Sequence, residues 1–335
     1  MPGAPFSTAP FKGGDGQPAL GSVAETHFLT LGGVTQWVMI RGRDAKNPVL
    51  VIVHGGPGMS ETALFRSTNA ALEDAFTVVY WDQRGAGRSL DRRADPSVLT
   101  VDRFVDDLGE LVAFLGTRLG KAKVTLLGHS WGSVLGVLYA QRHPDKVCAY
   151  VGVGQVADMA ASEAASYAFT LEQARKRGNA RARKALEAIG APPHEPKALQ
   201  VQRRWLMAFG GGFGDHLSFA KLLWRTISAP EGSILDVPRL IEGANYSLGP
   251  LWPQLIAVDL QNHTTFKVPV FLILGRKDMQ VVASVAAEWF ERIEAPSKQL
   301  FWLEESGHFA PFEEPLAFNR ILVEHVRAAA VANGG

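Results

Sequence analysis

The apolar run from Val124 to Leu127 stops at Gly128, and a helical pattern that is apolar on more than one face, Ser130 to His143, opens almost at once. A run without polar alternation suits a strand covered on both faces of a parallel sheet. Here such a strand must become a helix within one tight turn. Only small residues can flank the turn, and Gly128 and Gly132 stand on either side of Ser130. This strand, turn and helix commit the chain to layered α/β architecture.

The rest of the sequence repeats the rhythm. Short apolar runs occur at Pro48 to Val53, Phe76 to Trp81, Val147 to Val153, Val268 to Leu274 and Gln299 to Leu303. Helical periodicity fills the gaps at Val101 to Leu119 and Glu313 to Ala330. Thr26 to Leu31 and Thr35 to Arg41, around Gly32-Gly33, predict a hairpin. The expected fold is α/β, a mostly parallel doubly wound sheet with an inserted helical cap. Residues 1–22, rich in Pro, Gly, Ser and Ala, are expected to form a flexible tail, with a tail packed over the cap as the alternative. Residues 23–154 and 266–335 form the core. Residues 155–265, helical in composition and then aromatic and glycine-rich, form the cap. The Gly210 to Gly214 stretch reads as a flexible cap loop.

A length of 335 residues fits one large domain, or one with a sizeable insertion. A net charge of +1 gives no long-range field for nucleic acid or an acidic membrane surface, so a small-molecule or short-peptide substrate is expected. Oligomeric state is left open. The single cysteine, Cys148, excludes an intrachain disulfide and reads as a small buried hydrophobe. No signal-peptide pattern and no run of 18 apolar residues is present, which points to a cytoplasmic protein. There is no His-Glu-x-x-His, no paired Cys-x-x-Cys and no completed phosphate loop, so neither metal nor organic cofactor is expected.

A serine on a tight strand-to-helix turn is lifted clear of the sheet, which makes Ser130 the candidate nucleophile. The N–H of Trp131 follows it and can face a developing oxyanion. A second donor is expected from His54-Gly-Gly-Pro-Gly58, assigned to Gly56 with Gly55 as the near alternative. The serine needs a base and the base an orienting carboxylate. With chain order serine, acid, histidine, His308 in Glu305-Ser-Gly-His308 is the base in preference to His325. Asp278 in Gly275-Arg-Lys-Asp278 is the acid, with Asp158 as the rival. His129 and His54 are read as structural.

Together His54-Gly-Gly-Pro-Gly58, Asp82-Gln-Arg-Gly-Ala-Gly-Arg-Ser89, Gly128-His-Ser-Trp-Gly132, Gly275-Arg-Lys-Asp278 and Gly307-His308 resemble the proline iminopeptidase branch of the α/β-hydrolases. The resemblance covers about residues 25–153 and 266–330. It implies acyl transfer that releases N-terminal residues from small peptides or amides. It also implies cap glutamates that bind the substrate's free amine, one of them in a Trp-Glu pair. The comparable stretch here is Arg203-Arg-Trp205-Leu206, without glutamate, and the elbow carries His129 where glycine is common. A second such glutamate matches Glu242 in Ile241-Glu-Gly-Ala-Asn-Tyr246. Glu242, Trp205 and Tyr246 are therefore the expected substrate-binding residues. A cap lined by Trp205, Phe209, Phe213, Trp224 and Tyr246 would instead suit a carboxylesterase or amidase for small apolar substrates. A non-catalytic ligand-binding protein on the same fold is the reading from another class.

Overall fold

The computed structural model describes residues 7–215 and 217–335. Eight strands form one sheet: β1 (Val23–Leu31), β2 (Val34–Gly42), β3 (Val49–Val53), β4 (Thr77–Asp82), β5 (Val124–His129), β6 (Val147–Val153), β7 (Val270–Gly275) and β8 (Lys298–Leu303). Their spatial order is β1-β2-β4-β3-β5-β6-β7-β8. β1 pairs antiparallel with β2, and β2 antiparallel with β4. All remaining pairs are parallel. The hairpin turn is Gly32-Gly33, both at positive φ (55° and 76°), as a two-residue turn matched to strand twist requires.

Side chains alternate across the sheet. Val49, Val51 and Val53 of β3 join the core on one face, and Leu50 and Ile52 join the core on the other. Each such side chain, fully buried, contributes about 1.5–3 kcal/mol. The first face is covered by α2 (Val101–Leu119) and α3 (Trp131–Arg142). The second is covered by α1 (Thr62–Thr68) and by the C-terminal helices described below. Local signals set the ends of α2: the Thr100 side chain accepts the Arg103 N–H, and Gly120 closes the helix at φ 67°.

Among the described residues five helices lie between β6 and β7: α4 (Met159–Lys176), α5 (Ala180–Ile189), α6 (Pro196–Ala208), α7 (Phe219–Ser228) and α8 (Asp236–Ile256). After β7 comes α9 (Ala283–Glu291), and after β8 come α10 (Ala310–Glu313), α11 (Pro315–Ile321) and α12 (Arg327–Ala332). A π turn, Leu322–Val326, joins the last two. Among the described residues no helix is long and apolar enough to cross a membrane.

The N-terminal segment differs from the flexible tail expected for residues 1–22, of which 1–6 lie outside the described residues. Residues 7–22 are tied down. The Ala9 carbonyl accepts from Arg41 Nη1 at 2.7 Å, and the Thr8 hydroxyl donates to Glu231 at 2.7 Å. The Phe11 ring lies 4.7 Å beneath the Arg41 guanidinium. A composition poor in large apolar residues thus docks by polar and cation–π contacts, which a count of apolar residues does not register.

A buried charge cluster locks the hairpin to the sheet. Asp107 of α2 is fully buried and accepts from Arg84 at 2.8 and 2.9 Å, from Gln36 at 2.7 Å and from Arg103 at 3.0 Å. Arg84 also donates to the Gly32 carbonyl at 3.0 Å. Removing one member leaves a buried charge unpaired, which costs about 3–5 kcal/mol. Asp107→Ala is expected to lower the unfolding free energy by that amount in denaturant titration. Asp106→Ala, one residue away and 62% exposed, should change it by less than about 0.5 kcal/mol. Equal midpoints for the two variants would show that the cluster does not stabilise the fold.

Candidate active site

The turn after β5 has the conformation its flanking glycines imply. Ser130 is the only non-glycine residue at positive φ among those described, at φ 52° and ψ −119°. Its N–H donates to the Val153 carbonyl at 2.9 Å, which ties the turn to the end of β6. A Cβ on Gly132 would overlap the Val53 carbonyl oxygen, and one on Gly128 would lie 2.7 Å from the Ser133 Cα. The strand and helix therefore cross too closely for any side chain at either position.

Asp278 and His308 come from neighbouring loops after β7 and β8. Asp278 Oδ2 lies 2.8 Å from His308 Nδ1, while Oδ1 accepts the N–H groups of Gln280 (2.9 Å) and Val281 (3.0 Å). A carboxylate only accepts, so Nδ1 carries the hydrogen and Nε2 of the neutral ring keeps its lone pair. Gly154, the residue after Val153, brings this ring to the serine turn: a Cβ there would lie 3.1 Å from His308 Nδ1. Asp278 and His308 are each 2% exposed and Ser130 is 9% exposed. The rival acid, Asp158, instead caps α4 by accepting the Ala161 N–H at 2.9 Å. His325 lies in the π turn against Phe301, with ring centroids 4.8 Å apart.

The glycine-rich loop after β3 divides its amides. The Gly55 N–H is taken by Glu61 at 3.1 Å. Among the described residues no protein acceptor meets the amides of Gly56 or Trp131. Gln83 holds this loop against the turn: its side-chain oxygen accepts from Trp131 Nε1 at 3.0 Å, and its amide group donates to the His54 carbonyl at 2.8 Å. Asp82 next to it accepts from Thr62 (2.9 Å), from the Arg88 N–H (2.8 Å) and from Ser60.

The inserted helices close over these loops. The carbonyls of Gly211 and Gly212 accept the N–H groups of Met279 (2.8 Å) and His308 (2.9 Å). The Gly210–Gly214 stretch is thus pinned to the acid and histidine loops, where a flexible loop was expected. Glu313 strengthens the tie by accepting the amides of Gly214, Gly307 (3.1 Å) and Phe309 (3.2 Å). Phe213 stacks on Phe309, with centroids 5.1 Å apart, and Phe309 meets the His308 ring edge-on at 5.4 Å.

The three expected substrate-binding residues each have partners within the insertion or the loops beside it. The buried face of α8 is Gly243, Ser247, Leu251 and Leu255, packed on Gly58 and Gly85. Glu242 falls off that face, is 40% exposed and pairs with Arg92. The Tyr246 hydroxyl donates to the Ala94 carbonyl at 3.1 Å, and its ring lies against Gly85. Trp205 stacks on Phe209 at 5.8 Å within a small apolar cluster internal to the insertion. Trp224 is 70% exposed. The most deeply buried carboxylate of the insertion among the described residues is Glu163 on α4, 1% exposed. One of its oxygens pairs with Arg203, and the other has no hydrogen-bond partner among the described residues. Its neighbour Ser162 accepts the Val282 N–H at 2.8 Å, so this turn of α4 sits on the loop that carries Asp278.

The sequence reading missed Glu61, Gln83, Glu163 and Glu313. Glu61 carried a faint signal, a carboxylate three residues beyond Gly58 at the start of a helix. Gln83 lay within the Asp82 to Ser89 motif without a role of its own, and Glu163 and Glu313 carried no signal.

A family profile described as the alpha/beta hydrolase fold matches residues 48–315. A probable aminopeptidase of Bacillus subtilis, YbaC, is 31% identical over 313 residues, covering 92% of this chain and 98% of its own. A proline iminopeptidase-related protein of Thermus thermophilus superposes with a TM-score of 0.64 at 23% identity, covering 93% of this chain and 99% of its own. The proline iminopeptidase of Mycobacterium smegmatis gives 0.65 at 22% identity, with the same two coverages. These two structures share the fold.

The clearance at the turn generates a paired test. Gly132→Ala forces a Cβ into the Val53 carbonyl and is expected to cost about 1–3 kcal/mol, read from denaturant midpoints. Gly249, in α8, has open space where a Cβ would stand. Gly249→Ala should stabilise by about 0.5–1 kcal/mol, because alanine gives up less backbone freedom on folding. Equal midpoints would mean that the turn tolerates a wider crossing than this geometry allows.

Proposed function

The chain belongs to the α/β-hydrolase family, in its proline iminopeptidase-like branch, and on that premise we propose that it is a serine aminopeptidase. It releases N-terminal residues from small peptides or amides by acyl transfer through Ser130, His308 and Asp278. The observation that carries this reading is the 2.8 Å contact between Asp278 Oδ2 and His308 Nδ1, which leaves Nε2 as the basic nitrogen beside the serine turn.

In this mechanism Nε2 takes the Ser130 hydroxyl proton as Oγ bonds to the scissile carbonyl carbon. Asp278 stabilises the imidazolium and keeps its proton on Nδ1. Negative charge collects on the former carbonyl oxygen, where the amides of Trp131 and Gly56 donate to it. Supporting Gly56 over Gly55 is the prior use of the Gly55 N–H by Glu61. The C–N bond then breaks as His308 returns the proton to the leaving amine. Water, deprotonated at the same nitrogen, releases the acyl group and regenerates Ser130. The insertion excludes bulk water, which strengthens each of these electrostatic interactions.

An aminopeptidase must also hold a protonated α-amine in a partly dry pocket, where an unpaired ammonium is costly. Glu242 does not serve, for its carboxylate is at the surface with Arg92. Glu163 does, with its buried oxygen lacking a protein donor and its position one residue from the contact with the Asp278 loop. The second reading, an esterase for small apolar substrates, is favoured by the Phe213–Phe309 stack beside His308.

Two measurements test these assignments. A fluorophosphonate probe should label one residue and fail on Ser130→Ala, and His308→Ala or Asp278→Asn should lose about three or more orders of magnitude in turnover. Full labelling of Ser130→Ala would remove the nucleophile assignment. Glu163→Gln should raise KM at least tenfold for free-amine amides while leaving N-acetylated and ester substrates unaffected. A wild type that turns over short p-nitrophenyl esters well and aminoacyl amides hardly at all would replace the peptidase by the esterase.

A further inference from the structure

Two buried side chains beneath Ser130 take no part in bond making. Glu61 precedes α1 and His129 precedes the serine, with side chains 8% and 1% exposed. Glu61 Oε2 accepts the Gly55 N–H at 3.1 Å, and Oε1 faces His129 Nδ1 at 2.6 Å. On the other side of the ring, Nε2 lies 2.9 Å from the His308 carbonyl oxygen. One continuous chain of hydrogen bonds therefore runs from the glycine-rich loop, through the turn, to the histidine loop. It is closely packed: a Cβ on Gly55 would lie 3.2 Å from both Glu61 Oε1 and Ser130 Cβ.

We propose that Glu61 and His129 are positioning residues, a buried carboxylate–imidazolium pair that holds the Gly56 amide, Ser130 and His308 in mutual register. The proposal rests on the triad reading above. Neither residue touches the reacting atoms; each acts through the backbone of a group that does.

Proton counting supports the charged form. The His308 carbonyl only accepts, so Nε2 of His129 carries a hydrogen. Between Nδ1 and Glu61 there is one further proton, and imidazole is the stronger base of the two. Burial acts against both charges, yet the mutual attraction outweighs it. The result holds Glu61 below the usual carboxylate range and His129 above the ordinary histidine value. His54, in the same core, behaves oppositely. Its Nδ1 donates to the Gly55 carbonyl at 2.7 Å, but its Nε2 accepts the Gln83 N–H at 3.1 Å, and burial pushes its value down. One acceptor and one donor make a neutral ring, whereas acceptors on both sides make a cation.

The other charged groups around His129 have partners of their own. The His308 ring, with its centroid 5.1 Å away, is held by Asp278. Glu313 of α10 is taken up by three backbone amides. The rings of Phe309 and Phe312, both 6.2 Å from the His129 ring, close the remaining sides.

The test begins with the wild-type protein. Nitrogen-15 NMR of histidine-labelled enzyme at about pH 8, above the ordinary histidine range, should show both ring nitrogens of His129 protonated. The signal is assigned by its absence in His129→Gln or, where that variant does not fold, by its contact with the Phe312 ring. Glu61→Gln should restore an unprotonated nitrogen. Both variants should lose about 10- to 100-fold in kcat with KM nearly unchanged, as small misplacements of catalytic groups do. Fluorophosphonate should still label Ser130 fully, only more slowly. A bare nitrogen on wild-type His129 at that pH, or full kcat in both variants, overturns the proposal. A Ser130→Ala enzyme that keeps its turnover would sink the triad reading instead. A dead Ser130→Ala beside a fully active Glu61→Gln would sink the clamp alone.

Discussion

Helix α3 begins where β3 ends, and the distance between them governs the site. Gly132 stands so close to the Val53 carbonyl that no side chain fits between them. That approach forces the chain to turn within one residue, and Ser130 takes the cost as a positive φ. A serine in that conformation is strained, and such strain persists only where the surroundings over-determine it. Here they do so through the Ser130 N–H on Val153, the Ser133 hydroxyl on the Ser130 carbonyl at 2.6 Å, and the Trp131 indole on Gln83.

Because the turn sits at the carboxyl ends of the central strands, every neighbouring loop must meet it with polar groups satisfied. The Asp82 to Ser89 segment does much of this. Asp82 gathers the start of α1, Gln83 links the glycine-rich loop to Trp131, and Arg84 reaches Asp107 and the hairpin turn. Buried charges of this kind contribute little net stability when paired and cost heavily when broken. Their effect is to fix one arrangement of loops, which a set of catalytic groups held to within a fraction of an ångström requires.

The inserted helices join this network through backbone atoms. The consecutive carbonyls of Gly211 and Gly212 bind the loops of Asp278 and His308, and Glu313 binds amides on both sides. Such contacts are indifferent to side-chain identity, so the insertion can vary in sequence while its docking persists. Phe213, stacked on Phe309, is a side chain of the insertion held beside His308.

The sequence by itself determined the sheet, the turn and the order of the catalytic candidates. Those features are local: apolar runs without polar alternation, their glycine ends, and Ser130 between two glycines are each readable within a dozen residues. Asp278 and His308 followed because each sits just past a strand, where position along the chain fixes position in space. The insertion offered no such anchor. Glu242, Trp205 and Tyr246 lie on helices, and which face of a helix looks inward depends on what it packs against. The Gly243 and Ser247 face of α8 docks on Gly58 and Gly85 and turns Glu242 outward; α4 docks on the Asp278 loop, and Glu163 on it is buried. Glu61 and His129 are 68 residues apart, Glu163 and Arg203 are 40, and Gly214 and Glu313 are 99. Pairing a buried polar group with a partner at that separation is decided only when the whole chain is packed, because only then is each group cut off from water and obliged to find one.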